Sequence, residues 1–260
     1  MSGGEPDLVQ ERRGAILILR LNRPEARNAL DFGLLGQLGG AIVAAEADPS
    51  VRVVVLTGTG EKAFCAGMDL RAFAEGASIA DVPPDQLAGF YRLVNGESSL
   101  PLVAAANGSA LAGGLELLLG CDVIVASSDA TFGLPEVKRG LFPGGSGTML
   151  GQRIPLGVAL ELTMTGRSID ATRAFDLGLV NEVAPPAGVL DAAMALAGEI
   201  AANAPLGVAA CKELVRLNVV DAERAKERLR EWQPVVFGSD DAVEGATAFV
   251  ERRDPVWRGR

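Results

Sequence analysis

Four short apolar runs constrain the fold of this chain more than any other feature of its sequence. They occupy residues 15–21, 51–57, 102–106 and 123–126, and each is bounded by Gly, Asn or Asp. Such runs predict buried strands. Because both faces of these strands are apolar, each strand needs cover on two sides, which is typical of α/β layers. Residues 30–47 and 113–120, which lie between the runs, have helical patterns. We therefore predict an α/β fold.

The pattern of the chain changes after about residue 185. Pro185 and Pro186 interrupt it, and four segments with helical periodicity follow, over residues 189–203, 206–218, 221–231 and 240–252. The sequence therefore predicts an α/β core over residues 1–195 and a helical region over residues 196–260.

Charge and cysteine content narrow the class of protein. The 24 Lys and Arg against 33 Asp and Glu give a net charge of −9, which argues against nucleic-acid binding because phosphates require a basic surface. Three scattered cysteines do not form a disulfide framework and indicate reduced thiols in a cytoplasmic protein. The longest uncharged run contains Pro101 and several glycines and serines, so we expect no membrane span.

The 260-residue chain contains no histidine. This excludes a Ser-His-Asp triad, a Cys-His dyad and most zinc sites. Acid–base chemistry near neutral pH must then use carboxylates, Lys, Tyr or Cys. We expect no metal, because no cluster of ligand residues suits one, and no organic cofactor.

Two glycine-containing turns are candidate sites for a developing negative charge. One is the KAFCAGMDL segment of residues 62–70, which follows a strand and a Gly-rich turn. The other is Ala112-Gly113-Gly114, where a helix is predicted to begin. Backbone N–H groups at a helix start have few partners of their own. For residues 62–70, a plain strand–turn–helix connection explains the pattern equally well.

Two glutamates are the candidate acid–base groups. Glu116 lies among leucines in the first turn of the predicted helix, either exposed, where it favours the helix dipole, or buried for a purpose. Glu136 follows Pro135 in a Gly-rich loop, where active-site groups often lie. The alternative for Glu136 is a surface residue paired with Lys138 or Arg139. Local patterns leave both choices open.

Taken together, these segments resemble the enoyl-CoA hydratase/isomerase, or crotonase, family, and most closely the enoyl-CoA hydratases. Five stretches match in order and with the family's spacing. They are RPEARNAL (23–30), VRVVVLTGTGEKAFCAGMDL (51–70), LPLVAAANGSALAGGLELLLGCDVIVASSDATFGLPEVKRGLFPGGSG (100–147), LTMTGRSIDATRAFDLGLVNEV (162–183) and EGATAFVERRDP (244–255).

The resemblance implies a fold, an assembly and a set of catalytic groups. The fold is a crotonase-like spiral of ββα units whose helical C-terminal region forms a homotrimer, often paired into a hexamer. The ligand is an acyl-CoA thioester, with its carbonyl oxygen in an oxyanion hole formed by the backbone N–H groups of Met68 and Gly113. Glu116 helps activate water and Glu136 delivers a proton to the α-carbon. Two carboxylates facing one small volume should raise one pKa.

The resemblance also implies contacts to coenzyme A, which is part of the substrate rather than a cofactor. The matching positions are Ala26, Arg27, Ala66, Leu70 and, from the C-terminal helix or a neighbouring subunit, Phe249 and Arg252. For Arg27, the alternative is a surface arginine that binds no ligand.

Three residues depart from the family's common pattern. Met68 is bulkier than the small residue usual there, Ala112 replaces a glycine, and Ser146 interrupts a glycine cluster. The resemblance therefore predicts reversible hydration of 2-enoyl-CoA thioesters and leaves the substrate open. The alternatives are a Δ3–Δ2 enoyl-CoA isomerase, a specialised dehydratase of the carnitinyl-CoA type, and a non-catalytic acyl-CoA-binding relative.

Overall fold

A computed structural model describes residues 6–71, 76 and 78–260 of the chain. The strands, in chain order, are β1 (Leu8–Arg13), β2 (Ile16–Leu21), β3 (Val53–Gly58), β4 (Ala63–Cys65), β5 (Leu102–Ala106), β6 (Ser109–Leu111), β7 (Val123–Ser127), β8 (Thr131–Gly133), β9 (Ser168–Asp170) and β10 (Glu182–Ala184). The α-helices of the described residues are α1 (Phe32–Ala47), α2 (Pro84–Val94), α3 (Gly113–Gly120), α4 (Leu150–Arg153), α5 (Leu156–Thr165), α6 (Ala171–Asp176), α7 (Val189–Ala201), α8 (Pro205–Val220), α9 (Ala222–Phe237) and α10 (Asp240–Glu251).

The strands form two sheets. The larger sheet has the order β1-β2-β3-β5-β7-β10 and is parallel except for the β1–β2 pair. The smaller sheet has the order β4-β6-β8-β9, with only β9 antiparallel to its neighbour. The successive pairs β3–β4, β5–β6 and β7–β8 each give one strand to each sheet. This arrangement confirms the predicted α/β spiral of ββα units.

The larger sheet is buried on both faces, as the four apolar runs predict. Val54 and Leu56 of β3 join the main core, which includes α1 and α3. Val53 and Val55, pointing the opposite way, pack with Val189, Ala193 and Ala197 of α7. Alternating side chains of one strand thus enter two different apolar layers, and a run without polar residues is the sequence that this placement requires.

The C-terminal region is helical, as predicted from residue 185 onward. The predicted boundary at residue 195 lies within α7, which packs on the large sheet, so the division into two regions stays a prediction. The sequence predicts a helix over residues 221–231, whereas the observed α9 continues to Phe237. It passes through Pro234, which has no backbone N–H to donate, and at its end Gly238 N donates to Pro234 O at 3.1 Å.

Among the described residues, no single helix is long and apolar enough to cross a bilayer. The segments 186–201 and 205–220 meet the criteria of length and composition only as a pair, and they are bent by 110°.

Candidate active site

The N-terminal end of α3 is one side of the candidate site. Ala112, which precedes the helix, has φ 52° and ψ −127°, a backbone conformation that favours glycine. Gly113 is the first residue of the helix, so its N–H has no acceptor within the helix. Gly114 lies against β4, because a β-carbon there would lie 2.1 Å from the Cys65 carbonyl oxygen. The helix start is therefore pressed against backbone, and the binding of a ligand by the Gly113 N–H stays a prediction.

The turn after β4 brings a second amide to the same place. Leu30 N donates to Gly67 O and Asp69 N donates to Leu30 O, both at 2.8 Å, in a parallel bridge between Leu30 and Met68. In this pattern the Met68 N–H points away from Leu30. Gly67, at φ +93°, is so close to α3 that a β-carbon on it would lie 3.0 Å from Gly113 N.

The space beside Gly113 has room for a methyl group in ordinary van der Waals contact and borders Glu116. A β-carbon on Gly113 would lie 3.7 Å from Met68 N and 3.8 Å from Glu116 Oε2, with no described atom outside its own helix and chain neighbours nearer than 3.5 Å. The structure therefore places the Met68 amide, the Gly113 residue and the Glu116 carboxylate around one small volume. Met68 itself is 37% exposed, which leaves its side chain at the edge of that volume.

The Glu116 carboxylate is held by the loop that begins α4. Its Oε1 accepts hydrogen bonds from Gly145 N at 3.0 Å and from Gly147 N at 2.9 Å. Ser146 donates its hydroxyl to the Glu116 carbonyl oxygen at 3.2 Å. Oε2 lies on the side of Gly113, where a β-carbon would lie 3.8 Å from it. Glu116 is half-buried, between the exposed and the buried alternatives left by the sequence, and both stay open; neighbouring backbone holds its carboxylate in place.

Glu136 begins the 3₁₀ turn Glu136–Arg139, directly after Pro135. Its Oε2 is buried without a hydrogen-bond partner among the described residues. Burial raises the pKa of Glu136, and the negative charge of Glu116 adds to that rise, while a hydrogen bond to its own backbone and the charge of Arg139 oppose it. The raised pKa at Glu136 has the expected direction, although burial rather than the charge of Glu116 is its largest cause. A carboxyl with a raised pKa near a held carboxylate is an arrangement that can give and take protons.

The predicted coenzyme A loop lies next to the turn after β4. Ala66 N donates to Arg27 O at 3.1 Å, so the residues around Ala26 and those around Ala66 meet. Arg27 is exposed and adopts a left-handed conformation, with φ 54°. Leu70 is also exposed, two residues beyond Met68. These positions are brought together, and their contacts to a ligand stay predictions.

Phe249 and Arg252 lie apart from this cluster in the sequence, at the end of α10. Phe249 is 86% exposed, and α10 bonds to the C-terminal segment through Asp241, which accepts from Arg258 N and Gly259 N. The structure of one chain does not join them to the acid–base groups. Their role at a CoA site stays a prediction.

A cavity of about 740 Å³ lies elsewhere, between α8, α9 and the loop after α2. Arg153, Arg216 and Trp232 are among its lining residues, whereas Glu116 and Glu136 are not. The cavity therefore borders the C-terminal end of α3 and is separate from the two candidate acid–base glutamates. Among the described residues, no group of three or more His, Cys, Asp or Glu side chains has a metal-binding arrangement; the prediction of no metal and no cofactor is left open.

Comparison with known proteins identifies the family. The enoyl-CoA hydratase/isomerase family model matches residues 11–260. The chain belongs to the enoyl-CoA hydratase/isomerase family. It is an enzyme of the hydratase/dehydratase class within this crotonase family.

Individual relatives of this crotonase-family enzyme carry two kinds of name. The carnitinyl-CoA dehydratase of Escherichia coli (strain K12) is 41% identical over 256 residues, which cover 96% of this chain and 97% of that protein. A crystal structure of enoyl-CoA hydratase from Mycobacterium tuberculosis H37Rv aligns with a TM-score of 0.90 and 45% identity, covering 98% of this chain and all of that one. The carnitinyl-CoA hydratase of Mycobacterium avium aligns with a TM-score of 0.75 and 43% identity, covering 98% and 99%.

Several residues of this crotonase-family site were not singled out from the sequence. Gly145 and Gly147 hold Glu116 from about 30 positions away, so no local pattern pairs them. Asn28 is fully buried at φ 55° and donates to Thr59 O and Ala63 O at 3.0 and 2.9 Å. An asparagine between two turn-forming segments is a signal that could have been used, because Asn tolerates the left-handed region.

Proposed function

We propose that this enzyme catalyses the reversible hydration of 2-enoyl-CoA thioesters to 3-hydroxyacyl-CoA. The observation that carries the proposal is the pairing of a carboxylate held by two amides, Glu116, with a neighbouring carboxyl whose pKa is raised, Glu136. Hydration needs one group to take a proton from water and another to give a proton to carbon. The two glutamates differ in environment in the direction that this division of labour requires.

The proposed first step adds water. The thioester carbonyl oxygen accepts hydrogen bonds from Met68 N–H and Gly113 N–H. Glu116 takes a proton from water as the water oxygen bonds to C3 of the enoyl group. The electron pair of the C2–C3 double bond moves toward the carbonyl, and the negative charge reaches the thioester oxygen. Fixed donors stabilise this charge without reorganising, and one such donor contributes roughly 2.7–4 kcal/mol.

The proposed second step places a proton on carbon. Glu136 gives its proton to C2, the carbonyl re-forms and the 3-hydroxyacyl thioester results. Glu136 is then ionised and Glu116 protonated, and exchange with solvent restores both. The reverse sequence dehydrates a 3-hydroxyacyl thioester, so hydratase and dehydratase activities use the same groups.

The coenzyme A part of the substrate is proposed to bind beside the Arg27–Ala66 contact. Arg27, exposed next to the turn after β4, is suited to a phosphate because its guanidinium is always charged and can donate two parallel hydrogen bonds. Ala26, Ala66 and Leu70 line the same loop region. Phe249 and Arg252 are proposed to reach a CoA from the C-terminal helix, of their own or a neighbouring subunit.

A second candidate is dehydration of a carnitinyl-CoA-type thioester. It is favoured by the 41% identity to proteins named carnitinyl-CoA dehydratase over 96% of this chain. The chemistry at C2 and C3 is the same, and only the acyl group differs. Isomerisation from Δ3 to Δ2 is less well supported, because many isomerases of the family keep only one of the two carboxylates.

Loss of the conjugated enoyl absorbance of crotonyl-CoA tests the hydratase proposal, and carnitinyl-CoA assayed in the reverse direction tests the second candidate. A series of enoyl-CoA chain lengths then defines the substrate. Binding of thioesters without any turnover across this series would contradict both and favour a non-catalytic acyl-CoA-binding protein.

The proposal also covers the assembly of the enzyme, its compartment and the metabolism in which it acts. We propose a homotrimer, or a hexamer formed by two trimers, acting in the cytoplasm in lipid and fatty acid metabolism, with no nucleic-acid or membrane partner. Mass measurement in solution by light scattering tests the assembly.

A further inference from the structure

One segment, residues 145–153, holds both ends of α3. At the N-terminal end, the N–H groups of Gly145 and Gly147 hold the Glu116 carboxylate and Ser146 holds its carbonyl. At the C-terminal end, Arg153 Nη1 donates to Leu119 O at 3.1 Å and to Cys121 O at 3.0 Å. The eight-residue helix between them is about 12 Å long.

The carbonyl groups at the end of α3 depend on protein donors. The last carbonyls of a helix have no partner within it. Leu119 and Cys121 are fully buried, and a β-carbon on Gly120 would lie 2.0 Å from Leu93 O. Helix α2 therefore packs directly on this end. A buried carbonyl that loses its donor is costly, typically by about 1–3 kcal/mol.

The end of α3 is also a site of positive charge. Arg216 of α8 donates from Nη2 to Gly120 O at 3.0 Å and to Cys121 O at 2.9 Å, and from Nε to Asp122 at 2.7 Å. Lys212, four residues earlier on the same face, pairs with Asp122 at 2.9 Å. With Arg153, three cations thus lie at the negative end of the helix dipole, where positive charge is stabilising, and two of them, Lys212 and Arg216, pair with Asp122.

Arg153 differs from Lys212 and Arg216 in its hydrogen-bond partners and in the segment of the chain to which it belongs. Lys212 and Arg216 share Asp122 and belong to the C-terminal helices. Arg153 has hydrogen bonds to carbonyl groups rather than to a carboxylate, and it lies six residues after Gly147. Desolvation lowers its pKa, yet a guanidinium stays charged in proteins. The same short segment therefore sets the Glu116 carboxylate and the far end of the helix that carries it.

We propose that Arg153 is a positioning residue for the acid–base site, acting through α3 on the Gly113 N–H and on Glu116. The proposal rests on the proposed function. Gly114 and Gly120 fix the helix laterally against the backbone at Cys65 and Leu93, so the donors at its two ends determine its position along and about its axis. A misplacement of about 1 Å at a reacting group can cost on the order of 10²-fold in rate.

Three variants test this role. Arg153→Met keeps the length of the side chain and removes its donors, whereas Arg153→Lys keeps a charged donor. The matched control is Arg167→Met, since Arg167 is exposed and its side chain pairs only with Glu161 among the contacts described. Two properties are measured: kcat and KM on the enoyl-CoA that wild type turns over best, and deuterium exchange of peptides covering residues 112–122 without substrate.

The expected result is a fall in kcat of about tenfold in Arg153→Met, with KM within about threefold, because remote binding contacts are unchanged. Exchange at residues 112–122 becomes faster while α1 exchanges as in wild type. Arg153→Lys regains part of the lost kcat, and Arg167→Met behaves as wild type. A folded Arg153→Met with wild-type kcat, or with lower kcat but unchanged exchange at residues 112–122, overturns the proposal.

Two further outcomes are decisive. If Arg153→Met does not fold, Arg153→Lys takes its place as the test. A kcat lowered by about two- to threefold, together with faster deuterium exchange at residues 112–122, supports the positioning role. Wild-type values of kcat and exchange overturn it. If wild type turns over no enoyl-CoA, the proposed function fails by itself. The exchange comparison then stands alone, and unchanged exchange at residues 112–122 in Arg153→Met overturns the positioning role.

Discussion

Gly145 lies directly against the carboxylate of Glu116. Its N–H donates to Oε1 at 3.0 Å, and a β-carbon on Gly145 would lie 2.7 Å from Oε2. A methyl group at this position leaves no room for the carboxylate where it now lies. The atoms that must move are the end of a flexible side chain rather than backbone, so the fold can tolerate the change while Glu116 cannot keep its place.

Gly145→Ala is therefore expected to lower kcat by about 10²-fold, the size of effect that a misplaced catalytic group produces, with little loss of thermal stability. The matched control is the neighbouring Gly144→Ala, because a β-carbon on Gly144 meets only Phe142 O, at 3.9 Å. Steady-state kinetics and thermal unfolding of both variants make the comparison. Equal activity in the two variants would show that the position of Glu116 does not limit the reaction.

Replacing either glutamate by glutamine tests the assigned roles. Glu116→Gln and Glu136→Gln are each expected to lower kcat for hydration by about 10²–10⁴-fold, the range for loss of a general acid or base. Affinity for an unreactive saturated thioester such as butyryl-CoA should change little. Glu182→Gln, at an exposed position outside the site, is the control. Near-normal turnover in either site variant contradicts the role given to that residue.

Much of this site was accessible from the sequence, and the remainder depends on contacts between distant segments. The buried strands, α3 and the two glutamates follow from apolar runs, a glycine pair and the family resemblance. The two amides that hold Glu116 are about 30 residues away, and the raised pKa of Glu136 results from burial that no local pattern reports. Likewise, Arg153 meets the end of α3 only through tertiary packing.

Glu136 also affects stability, with a definite dependence on pH. Its pKa in the folded enzyme is raised above the ordinary value of 4.5. Above pH 4.5 the unfolded chain therefore binds fewer protons at this residue than the folded one, and the free energy of unfolding falls as pH rises through the raised pKa. Below pH 4.5 both states are protonated and the penalty vanishes.

Glu136→Gln is accordingly expected to be more stable than wild type at pH 8, and the difference should shrink toward zero near pH 4. Thermal unfolding at a series of pH values measures this stability difference. Glu182→Gln is the control and should not show the trend. A Glu136→Gln variant that is less stable than wild type at pH 8 would contradict a raised pKa at this position.

Ala112 holds a conformation that glycine adopts more easily, at φ 52° and ψ −127° just before α3. A non-glycine residue in a sparsely populated region costs of the order of 1–3 kcal/mol. Glycine loses roughly 0.5–1 kcal/mol more conformational freedom on folding than alanine. The balance predicts that Ala112→Gly stabilises the enzyme by about 1 kcal/mol, or roughly 2–4 °C in Tm for a chain of this size.

The control for Ala112→Gly is Ala187→Gly, at an exposed alanine whose φ is not positive. There the strain term is absent, so the same substitution should lower Tm slightly. The Gly113 amide is unchanged by Ala112→Gly, and turnover should stay near the wild-type value. Opposite signs of the two Tm shifts would attribute the gain to relief of backbone strain. Equal losses of Tm would mean that the loop around Ala112 stores no strain that glycine can relieve.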